Sequence, residues 1–144
     1  MEKQNNLLFT VIWIMLIVVL SVIMSHIYKN SLRKDQVYAN EQAEKICNVV
    51  EDWCDENEID YSALPQIFHS GRTYDVSQDG DGLQHELHKA IKYGAAYIGT
   101  AEKDGKETIF YQWKKNNAGI VGQYPDASEN GALGMVWTEY RTAG

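Results

Sequence analysis

The chain has 144 residues, a formal charge of −7, two cysteines, two prolines and 44% hydrophobic residues. That length fits one small domain with an attachment; a large multidomain enzyme, a polytopic transporter and a basic nucleic-acid binder all fit it poorly. The mean hydropathy of −0.39 describes a mildly hydrophilic protein only because it averages two unlike parts.

After a short leader (residues 1–6), residues 7–28 contain no acidic or basic side chain apart from the titratable His26. As an α-helix this stretch would run about 33 Å, the thickness of a hydrocarbon core. Its β-branched residues do not oppose a helix, because a helix in lipid satisfies its own backbone. Trp13 lies inside the span and Tyr28 at its edge, where aromatics favour the interface. A cleaved signal peptide would be shorter and end in small residues of the A-x-A type, whereas this run ends Ser-His-Ile-Tyr-Lys. An uncleaved anchor is the expectation. Lys3 and the amino terminus face Lys29, Arg33 and Lys34 across it; the count favours a cytoplasmic C-terminal domain by a margin too small to fix the side.

Residues 29–58 lack Gly and Pro, and Leu32, Ala39, Ala43, Ile46, Val50 and Trp53 recur at three- and four-residue spacing. That is one apolar helical stripe, interrupted at Gln36, and it predicts a stem helix that packs on the domain. A coiled-coil homo-oligomer through the stem is the competing reading, although the heptads are few. Cys47 and Cys54 fall on one face about 10 Å apart along the axis, too far for a mutual disulfide. They read either as small buried hydrophobes or as interchain disulfides between parallel stems. No C-x-x-C spacing supports zinc or thioredoxin chemistry.

Residues 59–144 complete a small α+β domain. The spacing predicts a strand over 72–76, a polar turn, and an amphipathic helix over 83–93 with Gly94 as its C-terminal cap. Strands over 97–101 and 108–113 flank Asp104-Gly105, a hairpin signal, and further strands are expected over 120–124 and 133–140. The fold class is therefore α+β: an N-terminal transmembrane helix continuing into an amphipathic stem, then a short helix and a mostly antiparallel sheet of four or five strands.

The sharpest local match to a chemical site is a calcium loop. Asp75, Ser77 and Asp79 stand at ligand positions 1, 3 and 5, Gly80 at the turn, Asp81 next to it and Glu86 at position 12. Gly82 and Leu83 depart from the pattern, and no helix precedes Asp75. The alternative is an acidic turn that satisfies its own backbone before a helix. His85 and His88 are three apart, not the four that H-E-x-x-H requires, and read as a solvated helix face; His69 has no partner the sequence can name. Nucleophile, P-loop and dinucleotide motifs are missing, so nothing argues for an enzyme. Tyr111, Trp113, Trp137 and Tyr140 read as sheet residues, and the lone basic pair Lys114-Lys115 gives no nucleic-acid stripe.

Two resemblances bear on function. The order of an apolar segment, an amphipathic stem, Tyr74-x7-Gly82-Leu83-x3-Leu87, Ala96-Tyr97-Ile98-Gly99 and late Pro125 and Gly131 is similar to the small PilM family of plasmid-encoded type IVb thin-pilus systems. That resemblance implies an inner-membrane component of the pilus basal body and pilin transport apparatus, with membrane lipid and pilus or secretion machinery proteins as partners, and no catalytic residues. The run Phe9-Thr10-Val11-Ile12 before an apolar helix resembles the start of a mature type IV pilin, but Leu8 and Trp13 stand where such pilins carry Gly and Glu. The expectation is thus a non-enzymatic single-pass inner-membrane protein of pilus or secretion assembly. A membrane-tethered ligand- or calcium-sensing module and a minor pilin-like subunit are the alternatives, and calcium is the one cofactor considered.

Overall fold

The computed structural model describes residues 2–116 and 119–128, with side chains from Leu7 onward. The expected strand over 133–140, together with Gly131, Trp137 and Tyr140, lies outside the described residues. The chain divides between Lys34 and Asp35 into two compact units. Helix α1 (Glu2–Glu56) contributes its first part to one and its last part to the other.

In the first unit, an 18-residue stretch with none of its surface buried inside the protein is apolar enough to cross a membrane. The Ser21 hydroxyl, the polar group in mid-span, donates to the Ile17 carbonyl one turn back at 2.8 Å. Such back-bonding spares a hydroxyl an unpaired proton in an apolar medium.

The second unit has the α+β architecture expected. After α1 come a single 3-10 turn (Tyr61–Ala63), α2 (Leu64–Ile67), β1 (Arg72–Asp75), α3 (Leu83–Ala90), β2 (Ala95–Lys103), β3 (Lys106–Lys114) and β4 (Val121–Tyr124). The strands form an antiparallel sheet in the order β1-β2-β3-β4. β2 and β3 pair over their full length, and the turn between them places both Asp104 (φ 54°) and Gly105 (φ 73°) in the left-handed region. That is the backbone a two-residue hairpin needs to match strand twist, and it makes Asp-Gly a sound signal.

One row of residues explains how a helix lies on this sheet. Across the strands, Tyr74, Ala96, Trp113 and Gly122 are register partners in turn. Large and small side chains alternate, so the aromatics fill the gaps left by Ala96 and Gly122. At Gly122 the helix backbone itself comes down on the strand: a Cβ there would land on the Ala39 carbonyl and within 2.5 Å of the Asn40 nitrogen. Ala39, Ala43, Ile46 and Val50, four residues of the predicted stripe, are buried in one core with Leu64, Phe68, Leu83, Leu87, Ile98 and Tyr111.

Several expectations change. Gln36 does not interrupt the stripe but is buried in it, donating through Nε2 to the Val121 carbonyl at 3.0 Å. A buried amide that reaches a strand carbonyl removes the desolvation cost that made it look like a break. The helix expected over 83–93 stops at Ala90, and Ile91 is extended (φ −121°, ψ 121°), so Gly94 belongs to the turn before β2 instead of capping a helix. Cys47 and Cys54 are both free thiols buried against the domain, which is the hydrophobe reading; interchain disulfides would require pulling that face of α1 out of the core. The 3-10 turn and α2 were not expected. The Asp60 carboxylate caps the former through Ser62 N–H at 2.9 Å, and Pro65 sits in the first turn of the latter.

Candidate functional site

The acidic loop joins β1 to α3, and each expected calcium ligand has a definite place. Asp75 Oδ1 accepts from the Ser77 amide at 3.0 Å and the Ser77 hydroxyl at 2.5 Å, while Oδ2 accepts from Gln78 at 3.1 Å. Those donors, led by the hydroxyl, hold its carboxyl below the usual range. Asp79 Oδ1 accepts from His85 at 2.7 Å and from the Gly80 amide at 2.8 Å, and the histidine in particular lowers its pKa. Asp81 is exposed, and its carbonyl accepts from the Gln84 amide at the start of α3. Glu86 pairs with Lys89 at 3.0 Å, one turn along α3. The left-handed residue of the loop is Gly82 (φ 57°), not Gly80. Asp75 and Asp79 thus spend their oxygens on the loop itself, and Glu86 faces α1. Among the described residues no three His, Cys, Asp or Glu side chains converge in a way that could hold a metal ion.

The three histidines of the domain each join separate segments. His85 meets Asp79, His88 reaches the Val76 carbonyl at 2.9 Å, and His69 contacts Glu107 of β3 at 2.6 Å. The His-x-x-His pair therefore diverges toward two different partners.

The two cysteines lie on the buried face of α1, with Tyr111 of β3 beside Cys47. Loss of solvent, reinforced by Glu51, pushes the Cys47 thiol up to about 12. Burial raises Cys54 and, beside the Cys47 sulfur, Tyr111 as well. The unfolded thiol ionises near pH ~8.5. A folded pKa above the unfolded one means that this contribution is fully present below the unfolded value and is lost as pH rises toward the folded one. The melting temperature of the full chain should accordingly fall between about pH 8.5 and pH 11. Cys47→Ala should flatten that fall relative to its own value at neutral pH. A melting series in detergent at stepped pH checks both, and an unchanged slope in the variant would show that other groups dominate.

What sequence reading missed is a polar clip between α1 and the edge of β4. Asn40 Oδ1 accepts from the amides of Gln123 (3.0 Å) and Ser128 (3.2 Å), and Asn40 Nδ2 donates to the Ser128 carbonyl at 2.9 Å. Gln36, one turn earlier, donates to Asn40 at 3.2 Å as well as to Val121. Two side chains thus satisfy the outward backbone of an edge strand. The sequence signal was available: Gln36 and Asn40 are four apart on the stripe's own face. Beside the clip, Tyr38 and Tyr93 share a 2.9 Å hydroxyl contact, and both rings meet Trp113 edge-on.

Among the described residues, outward-facing features include the apolar part of α1, the half-exposed Tyr38–Tyr93 pair and a cleft between the end of α1 and α3. The apolar part carries a shallow groove lined by Ile17, Ser21, Ser25, His26 and Lys29, among others. Compared with models of known families, with curated protein sequences and with solved structures, the chain finds no match in any of the three.

Proposed function

We propose that this is a single-pass membrane protein that acts without catalysis, its domain binding partner proteins during assembly of a pilus or secretion apparatus. The observation that carries the membrane part is the long apolar stretch of α1, exposed along its whole length on a chain whose remaining described residues form one small domain. In water that surface would be a severe liability; in a bilayer it is an anchor. The assembly role rests on the resemblance in feature order.

The test is deletion combined with pull-down of the tagged full chain. The expected result is loss of assembled surface fibres or secretion, with components of an inner-membrane machine recovered on the tag. Normal assembly with none of those components recovered overturns the proposal.

One observation favours a second reading, a minor pilin-like subunit: α1 runs without a break from Glu2 to Glu56, with Phe9-Thr10-Val11-Ile12 near its start. Cleavage before Phe9 would expose that run as the new N-terminus. Intact mass of the protein isolated from membranes decides between them, since processing removes the first eight residues and an anchor keeps them.

A further inference from the structure

The C-terminal end of α1 carries charge of the sign its own backbone disfavours. Glu51, Asp52, Asp55 and Glu56 crowd the last turns, and no basic residue accompanies them in the last turn. A helix C-terminus holds the negative end of the macrodipole, so carboxylates there work against the helix, and Asp52 and Glu56 repel each other one turn apart. Asp55 is accounted for by the Tyr61 hydroxyl, which donates to it at 2.6 Å. Among the described residues Asp52 and Glu56 have no ion pair.

Both border a cleft of about 240 Å³ between α1 and α3. Its floor is apolar: Val49, Ala90 and the half-buried Trp53. Its rim is Asp52 and Glu56 from one helix, and Glu86 and Lys89 from the other. Three carboxylates and one ammonium thus share the rim, and the ammonium, Lys89, is paired with Glu86 alone at 3.0 Å, which leaves Asp52 and Glu56 as unneutralised acidic charge beside the apolar floor.

We propose that this cleft is the docking site for an arginine-bearing segment of a partner protein, with the guanidinium resting on Trp53 between Asp52, Glu56 and Glu86. Arginine suits it better than lysine. A planar guanidinium stacks on an indole face and offers several N–H donors to carboxylates on two sides, whereas an ammonium is a strongly hydrated point charge. A leucine or valine next to the arginine would cover Val49 and Ala90. The inference concerns the domain alone and holds whether or not the partner belongs to a pilus machine.

The experiment uses the purified full chain in a detergent with a neutral headgroup. The probe is a labelled, end-blocked Gly-Arg-Leu-Arg-Gly peptide, followed by fluorescence anisotropy at about 50 mM salt. The expected results are saturable binding that weakens at high salt and a loss of about tenfold in Glu56→Gln and in Asp52→Asn. Trp53→Leu, which keeps an apolar floor but removes the ring, should lose about three- to fivefold. Glu102→Gln, an exposed carboxylate on the β2–β3 hairpin, should change nothing. The surface carboxylate variants leave the core untouched, so they remain informative if the Trp53 variant fails to fold. No saturable binding, equal binding of a Glu-Leu-Glu analogue, or an equal loss in Glu102→Gln overturns the proposal.

Discussion

Gly122→Ala should unfold the domain at a temperature about 10 °C below the parent, a loss of about 3 kcal/mol. The cause is geometric: one added methyl would occupy the position of the Ala39 carbonyl. Most overpacking is relieved by a neighbouring side chain turning aside. Here both parties are backbone, the helix on one side and β4 on the other, so relief requires moving α1 off the sheet. The large aromatic beside Gly122 in the register, Trp113, already fills the adjacent space and leaves no lateral escape. Thermal melting of the full chain followed by circular dichroism measures the effect. A shift of only a degree or two would mean that the helix rides higher over β4 than described.

Asn40→Ala should destabilise the domain by a similar amount, about 3 kcal/mol, for a different reason. It adds no bulk but strips the amides of Gln123 and Ser128 of their shared acceptor and the Ser128 carbonyl of its donor. Buried groups left unpaired cost more than the net value of the bonds that served them. Asn40→Asp is the informative companion. It keeps the acceptor for both amides, loses the donor and sets a carboxylate oxygen against the Ser128 carbonyl, so it should fall between the parent and the alanine variant. Urea unfolding with an unchanged slope would confirm that the native state, not the compactness of the unfolded chain, is affected. Equal stability of Asn40→Ala and the parent would refute the clip.

Much of the fold could be read from periodicity and turn chemistry. Ala39, Ala43, Ile46 and Val50 recur as a helix must present them, and Asp104-Gly105 supplies the two left-handed residues of a tight hairpin. What escaped reading has identifiable physics. Gln36 and Asn40 are polar and occupy core-facing positions, because the surface they meet is a strand's unpaired backbone instead of apolar side chains. The four residues of α2 are too few to show a helical period, leaving only Pro65 in its first turn, and Asp60 at the start of the 3-10 turn before it, as clues. Ile91 continues the apolar pattern of α3 but reaches the core from extended backbone. Its burial satisfies either reading, which is why the helix end was misplaced. The candidate calcium ligands matched a spacing, yet spacing says nothing about which donors claim a carboxylate first, and Ser77, Gln78 and His85 claim Asp75 and Asp79. The Trp53 cleft escaped because it joins residues from helices about thirty positions apart in the chain, a pairing that only the fold creates.

The clip on β4 also bears on how copies of this protein can meet. Among the described residues the sheet ends in β4 on one side and β1 on the other, and Gln36 and Asn40 occupy the hydrogen-bonding positions on the β4 side. Among the described residues the other edge is β1, a four-residue strand with Arg72 and Asp75 at its ends, where the Gln84 side chain donates to the Asp75 carbonyl at 2.6 Å. Among the described residues, the Val121 carbonyl and the Gln123 amide are thus already engaged by the chain's own helix, so an incoming strand would have to displace Gln36 and Asn40 before it could pair with β4.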